Sequence, residues 1–343
     1  MEIPEFCLSF ERPIYELESQ IGEMDGKAER SPEMRDTLSR MRRELVELKK
    51  NVYANLTPWE IVEAARHPQR PLTGDYLELV FEEFVELHGD RFFGDDHAVK
   101  TGWAKLDGQK VMVIGHHKGH GLQEKNECNF GCAHPEGYRK AMLKMKMAAK
   151  FHMPIICLID TPGAWPGIDA EERGQAWVIA QSMFLMSQLA TPIICIVIAE
   201  GGSGGALGIG VGDKIAMLQN SYYSVISPEG CAGILWKSGE YKKEAAAALK
   251  MTAKDLLRLK IVDDVIEEPL GGAHRDVHLM ASNLKMYLKN SLRELLRIPA
   301  DRLVELRYQK FRKFGQFLET AQVPSLDAAE AQPESNVPES VVA

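Results

Sequence analysis

The chain has 343 residues, 45% of them hydrophobic and 26% charged, with a formal net charge of −8. That length supports one large domain or two ordinary ones around a sizeable core. The acidic balance argues against a nucleic-acid binder working by bulk attraction. No apolar run reaches the ~18 residues of a membrane span, and the acidic start Met1-Glu2-Ile3-Pro4-Glu5 lacks the apolar stretch of a secretory signal. Six cysteines, two of them (Cys157 and Cys195) inside apolar runs, read as reduced core thiols and point to the cytoplasm.

Residues 1–30 are weakly patterned. Ser31-Pro32-Glu33 predicts a helix start. The apolar positions that follow (Met34, Leu38, Met41, Leu45, Leu48, Val52) form a narrow heptad-like seam, suited to a partner helix or to the body of its own domain. A basic, proline-punctuated loop at 64–71 precedes a second helix, expected at 74–88 with Tyr76, Leu79, Val80, Phe84 and Leu87 on one face. Strands are expected at 98–106 and 110–115 around the hairpin signal Asp107-Gly108. A glycine- and histidine-rich loop at 116–134 comes next.

From there strand and helix alternate. Helix 135–151, strand 154–159, helix 169–190, the wholly apolar strand 193–199 and helix 204–212 make successive strand–turn–helix units, which implies an α/β fold with right-handed crossovers. Short strands at 214–218 and 222–226, helices near 229–237, 242–250 and 252–258, a strand at 261–266 and a helix at 274–296 with Leu279, Leu284, Leu288, Leu292 and Leu295 complete the pattern. Residues 320–343 read as a disordered tail.

The chemistry concentrates where strand 193–199 runs into Gly201-Gly202-Ser203-Gly204-Gly205. Amide N–H groups at such a helix start are unpaired and attract negative charge. Four readings compete. Gly201-Gly202-Ser203-Gly204-Gly205 satisfies the G-x-S-x-G of a hydrolase nucleophile elbow, which would need Asp213 and His274 or His278 as triad partners. Asp160-Thr161-Pro162-Gly163 matches a GTPase magnesium loop, but no phosphate-binding G-x-x-x-x-G-K-[ST] stands upstream. His116, His117, His120, Cys128, Cys132 and His134 could hold zinc, although no second close cysteine pair accompanies them. The fourth reading needs no side-chain nucleophile: turn amides stabilise an oxyanion.

The stretches Ala65-Arg66-His67-Pro68-Gln69-Arg70-Pro71, Pro135-Glu136-Gly137-Tyr138-Arg139, Asp160-Thr161-Pro162-Gly163-Ala164, Ala170-Glu171-Glu172-Arg173-Gly174-Gln175, Glu200-Gly201-Gly202-Ser203-Gly204-Gly205-Ala206-Leu207, Ser227-Pro228-Glu229-Gly230-Cys231-Ala232 and Glu268-Pro269-Leu270-Gly271-Gly272-Ala273-His274-Arg275 occur in this order. Together they resemble the carboxyltransferase alpha subunits of bacterial acetyl-coenzyme A carboxylase, over about residues 5–315.

The resemblance implies an α/β crotonase-type (ClpP/crotonase-like) spiral of β-β-α units over 56–319, with an N-terminal helical extension over 1–55. It implies carboxyl transfer from carboxybiotin, on the biotin carboxyl carrier protein, to acetyl-coenzyme A, giving malonyl-coenzyme A, the first committed step of fatty acid synthesis. The partners it implies are a beta subunit bearing a zinc ribbon, in an α2β2 assembly, and biotin carboxylase; no metal, membrane or nucleic acid is expected for this subunit.

Carried onto this sequence, the backbone N–H groups of Gly204 and Gly205 form the biotin-side oxyanion hole, shaped by Gly201, Gly202 and Ser203. Gly163 and Ala164 line the same cleft or make a structural turn. Lys118 attracts an anionic group or is simply solvated, and Glu229 serves the site or caps a helix. Arg66, Arg70 and Arg139 pair with partner acids, coenzyme A phosphates or acids of this chain. The sequence departs from the family pattern at Glu127-Cys128, where basic residues are usual, and at Trp165, where tyrosine is usual.

Overall fold

The structure, a computed structural model, describes residues 6–28 and 32–315. The expected tail at 320–343 lies outside the described residues. The chain opens with a helical hairpin, α1 (Arg12–Ala28) against α2 (Pro32–Ala54). The seam of α2 therefore meets a helix that the weak pattern of 1–30 did not announce. Leu38 is buried there, whereas Met34 stays exposed. Helix α3 (Pro58–Ala65) starts on a capping box, with the Thr57 hydroxyl accepting from the Glu60 amide and Glu60 returning to the Thr57 amide.

Helix α4 (Thr73–Val80) stops where a longer helix was expected. Phe81 is extended, and β1 (Glu82–Glu86) pairs antiparallel with β2 (Val99–Leu106). Phe84 is thus a strand residue, and its ring covers Gly102, where a Cβ would come within 2.5 Å of it. Leu79, placed by periodicity on the inner face, is exposed. Edge pairing overrode a helical spacing. The expected hairpin joins β2 to β3 (Gln109–His116) through Asp107 and Gly108, both at positive φ.

The loop expected at 116–134 contains α5 (Gly121–Glu127), and α6 (Pro135–Lys150) follows it. Strand β4 (Ile155–Thr161) leads to α7 (Ile168–Glu172) and α8 (Gln175–Gln188), two helices in place of one. Gly174, at φ +81°, breaks them apart in a conformation that other residues avoid. Strand β5 (Ile193–Gly202) runs longer than expected and α9 (Ser203–Leu207) is correspondingly short. Next come β6 (Lys214–Leu218), β7 (Tyr222–Ser224), α10 (Pro228–Leu235), α11 (Lys242–Leu249), α12 (Ala253–Arg258), β8 (Asp264–Ile266), α13 (Val277–Leu295) and α14 (Ala300–Arg312), the last unanticipated.

The strands form one mixed sheet in the order β1-β2-β3-β4-β5-β6-β8, parallel from β3 onward. Residues of β4 and β5 alternate between two cores. Ile155, Cys157, Ile193 and Cys195 face the side covered by α6 and α8, while Ile156, Leu158, Ile194 and Ile196 face α4 and α13. This explains why both strands read as unbroken apolar runs. On α13 the buried stripe is Leu284, Leu288, Leu292 and Leu295; Leu279 is exposed.

At its outer end β5 changes neighbour. Residues 194–197 pair with β6, but Glu200, Gly201 and Gly202 pair with β7. On its other side the register with β4 slips between Ile159 and Thr161. The sheet therefore splays at the carboxyl ends of β4 and β5, where parallel α/β sheets place their ligands.

Candidate active site

Two turns meet at the splayed end of the sheet. The Gly201-Gly202 end of β5 lies against the Pro162-Gly163-Ala164 turn after β4. A Cβ on Gly202 would fall on the Pro162 carbonyl, and one on Gly205 would stand 2.5 Å from the Ala164 nitrogen. No side chain fits at either place. Gly204 differs: its nearest neighbour in that direction is the Ile179 side chain at 3.7 Å. Its amide belongs to the first turn of α9 and has no acceptor within the helix. A five-residue helix adds little dipole, so what it offers an anion is the N–H groups of its first turn, which include those of Gly204 and Gly205.

Ser203 and Gly204 open onto a cavity of about 420 Å³, walled by apolar groups that include Met183, Leu207, Tyr223, Phe311 and Phe314. The first turn of α9 thus meets an apolar chamber at Gly204, where a hydrogen bond to a developing charge is worth more than in water. Gly163 is placed differently. Its amide is taken by the Thr161 hydroxyl at 3.1 Å, which leaves it shaping the turn.

Behind the turns stands a network of charges on the ends of three adjacent strands. Lys118, just beyond β3, donates to Asp160 at 2.7 Å and to Glu200. Two carboxylates of this chain hold it, with only a small part of the side chain left exposed. Arg66 reaches Glu200 and Glu229, each at 2.6 Å, and donates to the Tyr222 hydroxyl at 2.8 Å. Burial works to raise the pKa of Glu200, but Lys118 and Arg66 outweigh it and bring the value down to about 2. Burial raises Asp160 above the usual carboxylate range despite Lys118. Glu229 sits in the first turn of α10, while the cap itself is the Ser227 hydroxyl, which accepts from the Gly230 amide.

The other arginines are also paired inside the chain. Arg70 is bound to Glu268 and to the Ile198 carbonyl, and Arg139 to Asp90 and Glu136. The triad reading fails on position. Asp213 is held by Arg307, and His274 by Glu11, at the opposite end of β5 and beside the N-terminal hairpin respectively. Ser203 does carry the positive φ (+49°) typical of an elbow, but neither of these two residues reaches it. The six His and Cys residues that could hold zinc do not all converge on one point. His120 pairs with Asp75, His134 stacks on Trp165, and His116 is enclosed without a partner for either ring nitrogen. Burial and the Lys118 charge hold His116 neutral, its pKa down at about 3.

This site has relatives. The chain matches the family model described as acetyl co-enzyme A carboxylase carboxyltransferase-like over residues 7–315. The acetyl-coenzyme A carboxylase carboxyl transferase subunit alpha of Rhodopirellula baltica is 62% identical over 312 residues, 91% of this chain and 98% of that one. The chain belongs to this carboxyltransferase alpha-subunit family. The corresponding subunit of Geobacter metallireducens is 52% identical, covering 92% of this chain and 99% of its own. The family's alpha designation implies a beta partner.

Solved structures agree on the fold. Transcarboxylase 12S aligns with a TM-score of 0.50 at 21% identity over 63% of this chain, and the geranyl-CoA carboxylase beta subunit of P. aeruginosa with 0.52 at 17% over 71%. The chain spans 41% and 46% of those two proteins. Both are carboxyltransferases of the crotonase-like class, so the expected fold class holds. Among the described residues no helix is long and apolar enough to cross a membrane.

Sequence reasoning missed Asp160, Glu200 and Tyr222 as site residues. A signal existed for the first two: each is an acid placed directly after an apolar strand, Ile155–Ile159 and Ile193–Ala199. Nothing in the sequence announced that Tyr222 would join them.

Proposed function

We propose that this chain is the half of the enzyme that accepts carboxybiotin, and that the Gly204 and Gly205 amides stabilise the charge left on the biotin ureido oxygen as the carboxyl group departs. The observation that carries this reading is the contrast between the glycines. Gly202 and Gly205 are locked against the backbone of 162–164, whereas Gly204 faces the apolar chamber. A neutral bicyclic ring fits such a chamber, and the amides at its edge meet the one atom that gains charge.

Carboxybiotin, carried in by the biotin carboxyl carrier protein after biotin carboxylase has loaded it, supplies the carboxyl group as CO2. When bound, the ureido group would take up the methyl proton of acetyl-coenzyme A, and the resulting carbanion would bond to the released CO2 to give malonyl-coenzyme A. This route asks no general base of the protein. In keeping with that, Asp160 and Glu200 are occupied by Lys118, and Glu200 and Glu229 by Arg66. A stand-alone acyl-coenzyme A hydratase would need one such acid free.

A beta subunit completes the site in an α2β2 assembly and holds most of the coenzyme A. Helix α8 is a natural seat for it: residues 175–188 include no charged side chain, and Trp177 and Phe184 are 66% and 65% exposed. Residues 1–55 form the extension and 56–319 the catalytic domain, working in the cytoplasm on fatty acid synthesis.

The test measures malonyl-coenzyme A formation by this chain alone, with a beta subunit, and with beta plus Gly204→Pro, folding being checked by circular dichroism. Activity only with beta, reduced about 10²–10³-fold in a folded mutant, supports the reading. Turnover by the chain alone, or an unaffected mutant, overturns it.

A further inference from the structure

Among the described residues, two clusters of metal-ligating side chains stand outside the ion network of the site. Glu11, His67 and His274 are close enough to share an ion, but their geometry forbids it. The two imidazole rings stack at 3.9 Å with planes 20° apart, so their in-plane lone pairs run side by side and cannot converge. Both nitrogens of His67 are also engaged, Nε2 with the Phe6 carbonyl and Nδ1 with the Gln69 amide. That cluster is a buried polar joint between the N-terminal hairpin and the body.

The second cluster is different. His117, at the end of β3, stands against α5, which presents Glu124 and, one turn later, Cys128 at its C-cap. The three donor atoms lie within 4.8 Å of one another, and His117 Nε2 is 2.9 Å from Glu124 Oε1. His117 and Cys128 are buried, and His117 Nδ1 has no partner. No ring stacking constrains the imidazole. The Cys128 thiol is thus buried beside the Glu124 carboxylate.

We propose that His117, Glu124 and Cys128 form a binding site for a thiophilic divalent cation, zinc by the chemistry of its donors. One imidazole, one carboxylate and one thiolate are a zinc set, with a fourth position left for water. Binding replaces the thiol S–H bond with an S–metal bond and releases one proton, and the hydrogen bond between His117 and Glu124 gives way to ligation by both. The family resemblance implied no metal in this subunit, and in the sequence the Cys128–Cys132 spacing had no second close cysteine pair beside it, which left metal binding by loop 116–134 open. The third protein donor is a glutamate that a Cys/His search passes over.

The consequence is mechanical. The ion ties α5 to the end of β3 and so braces the connecting turn, in which Lys118 follows His117 directly. That turn is already tight: at Gly119 (φ +79°) a Cβ would lie 2.7 Å from the Glu124 backbone.

The test titrates Co2+ into the full-length chain, purified free of metal and of any partner subunit. We expect one equivalent to bind with the ultraviolet thiolate-to-cobalt charge-transfer band and to be displaced by Zn2+. The band should vanish in Cys128→Ser and persist in Cys132→Ser, and affinity should fall at least tenfold in His117→Gln. Independently of any variant, Zn2+ should slow amide exchange across 119–128 in the wild-type protein. A folded wild-type chain without the band, a band surviving in Cys128→Ser, or unchanged exchange with Zn2+ bound would overturn the proposal.

Discussion

Arg70 and Glu268 form a two-point ion pair inside the protein, with Nη1 3.1 Å from Oε2 and Nη2 2.5 Å from Oε1, and both side chains essentially out of solvent. Arg70 also donates twice to the Ile198 carbonyl, while Glu268 accepts from the Asn220 and Ala273 amides. The pair thereby joins the 66–71 loop, the middle of β5 and the segment after β8. Removing one partner strands the other charge without water, which costs about 3–5 kcal/mol. Arg70→Met should lower the denaturant midpoint accordingly, and the double variant Arg70→Met/Glu268→Gln should recover part of the loss. Burial opposes ionisation of Glu268, but Arg70 prevails and its pKa is lowered. Its contribution is therefore full above the unfolded carboxylate value of about 4.3 and is lost as pH falls through the folded one.

Lys118 carries a second pH signature. Glu200 titrates near 2 in the folded chain, against about 4.3 unfolded. Its stabilisation is thus complete above that unfolded value and fades as pH falls toward 2. Lys118→Met removes part of what depresses it and leaves Asp160 buried with no cation, a loss of about 3–5 kcal/mol at neutral pH. Unfolding curves at a series of pH values should show the gap from wild type widest near neutrality and narrowing in acid, as both carboxylates take up protons. A gap independent of pH would contradict the network described here.

Glycines 204 and 205 are adjacent in sequence but should respond oppositely to alanine. Gly205→Ala drives a methyl group to 2.5 Å from the Ala164 nitrogen, against backbone that cannot swing aside. Gly204→Ala meets only the Ile179 side chain at 3.7 Å. We expect Gly205→Ala to cost about 1–3 kcal/mol, as overpacking does, and to depress activity through the displaced turn. Gly204→Ala should fold with wild-type stability and keep its amide. Thermal melts and turnover of the two assembled variants decide the matter.

Helix α8 should govern assembly without governing fold. Trp177 and Phe184 touch water over most of their surface, so Trp177→Glu/Phe184→Glu should leave the melting temperature within a few degrees of wild type. If a beta subunit seats there, the same change weakens the complex at least tenfold, because desolvated aromatic anchors dominate interface energies. Sedimentation of mixed subunits measures it. Wild-type assembly by the double variant would move the interface elsewhere.

Local sequence determined a good deal. Strands β4 and β5 were legible because burial on both faces leaves an unbroken apolar run. The β2–β3 hairpin was legible because Asp107-Gly108 suits a turn with two positive φ values, and the glycine turn because five small residues follow a buried strand. The α1 hairpin partner and α14 were not. The tie that holds α14 is the buried Arg307, which binds Asp213 together with the Met186, Leu189 and Thr191 carbonyls, contacts more than ninety positions away. Periodicity reports only on neighbours three or four residues apart.

The same limit applies at the site. Spacing predicted a helix start near Gly204 with its first amides unpaired, and the family resemblance implied Gly204 and Gly205 as the pair. Only tertiary structure decided that Gly205 is walled in while Gly204 is open. It also decided that Lys118 bridges Asp160 and Glu200 while Arg66 takes the other side of Glu200, and that of six histidines and cysteines between 116 and 134 the side chains of His117 and Cys128 gather at one carboxylate, Glu124. Each of these outcomes depends on which strand ends lie side by side. That is set by the order β3-β4-β5 in the sheet, a relation between segments that no single stretch of chain contains.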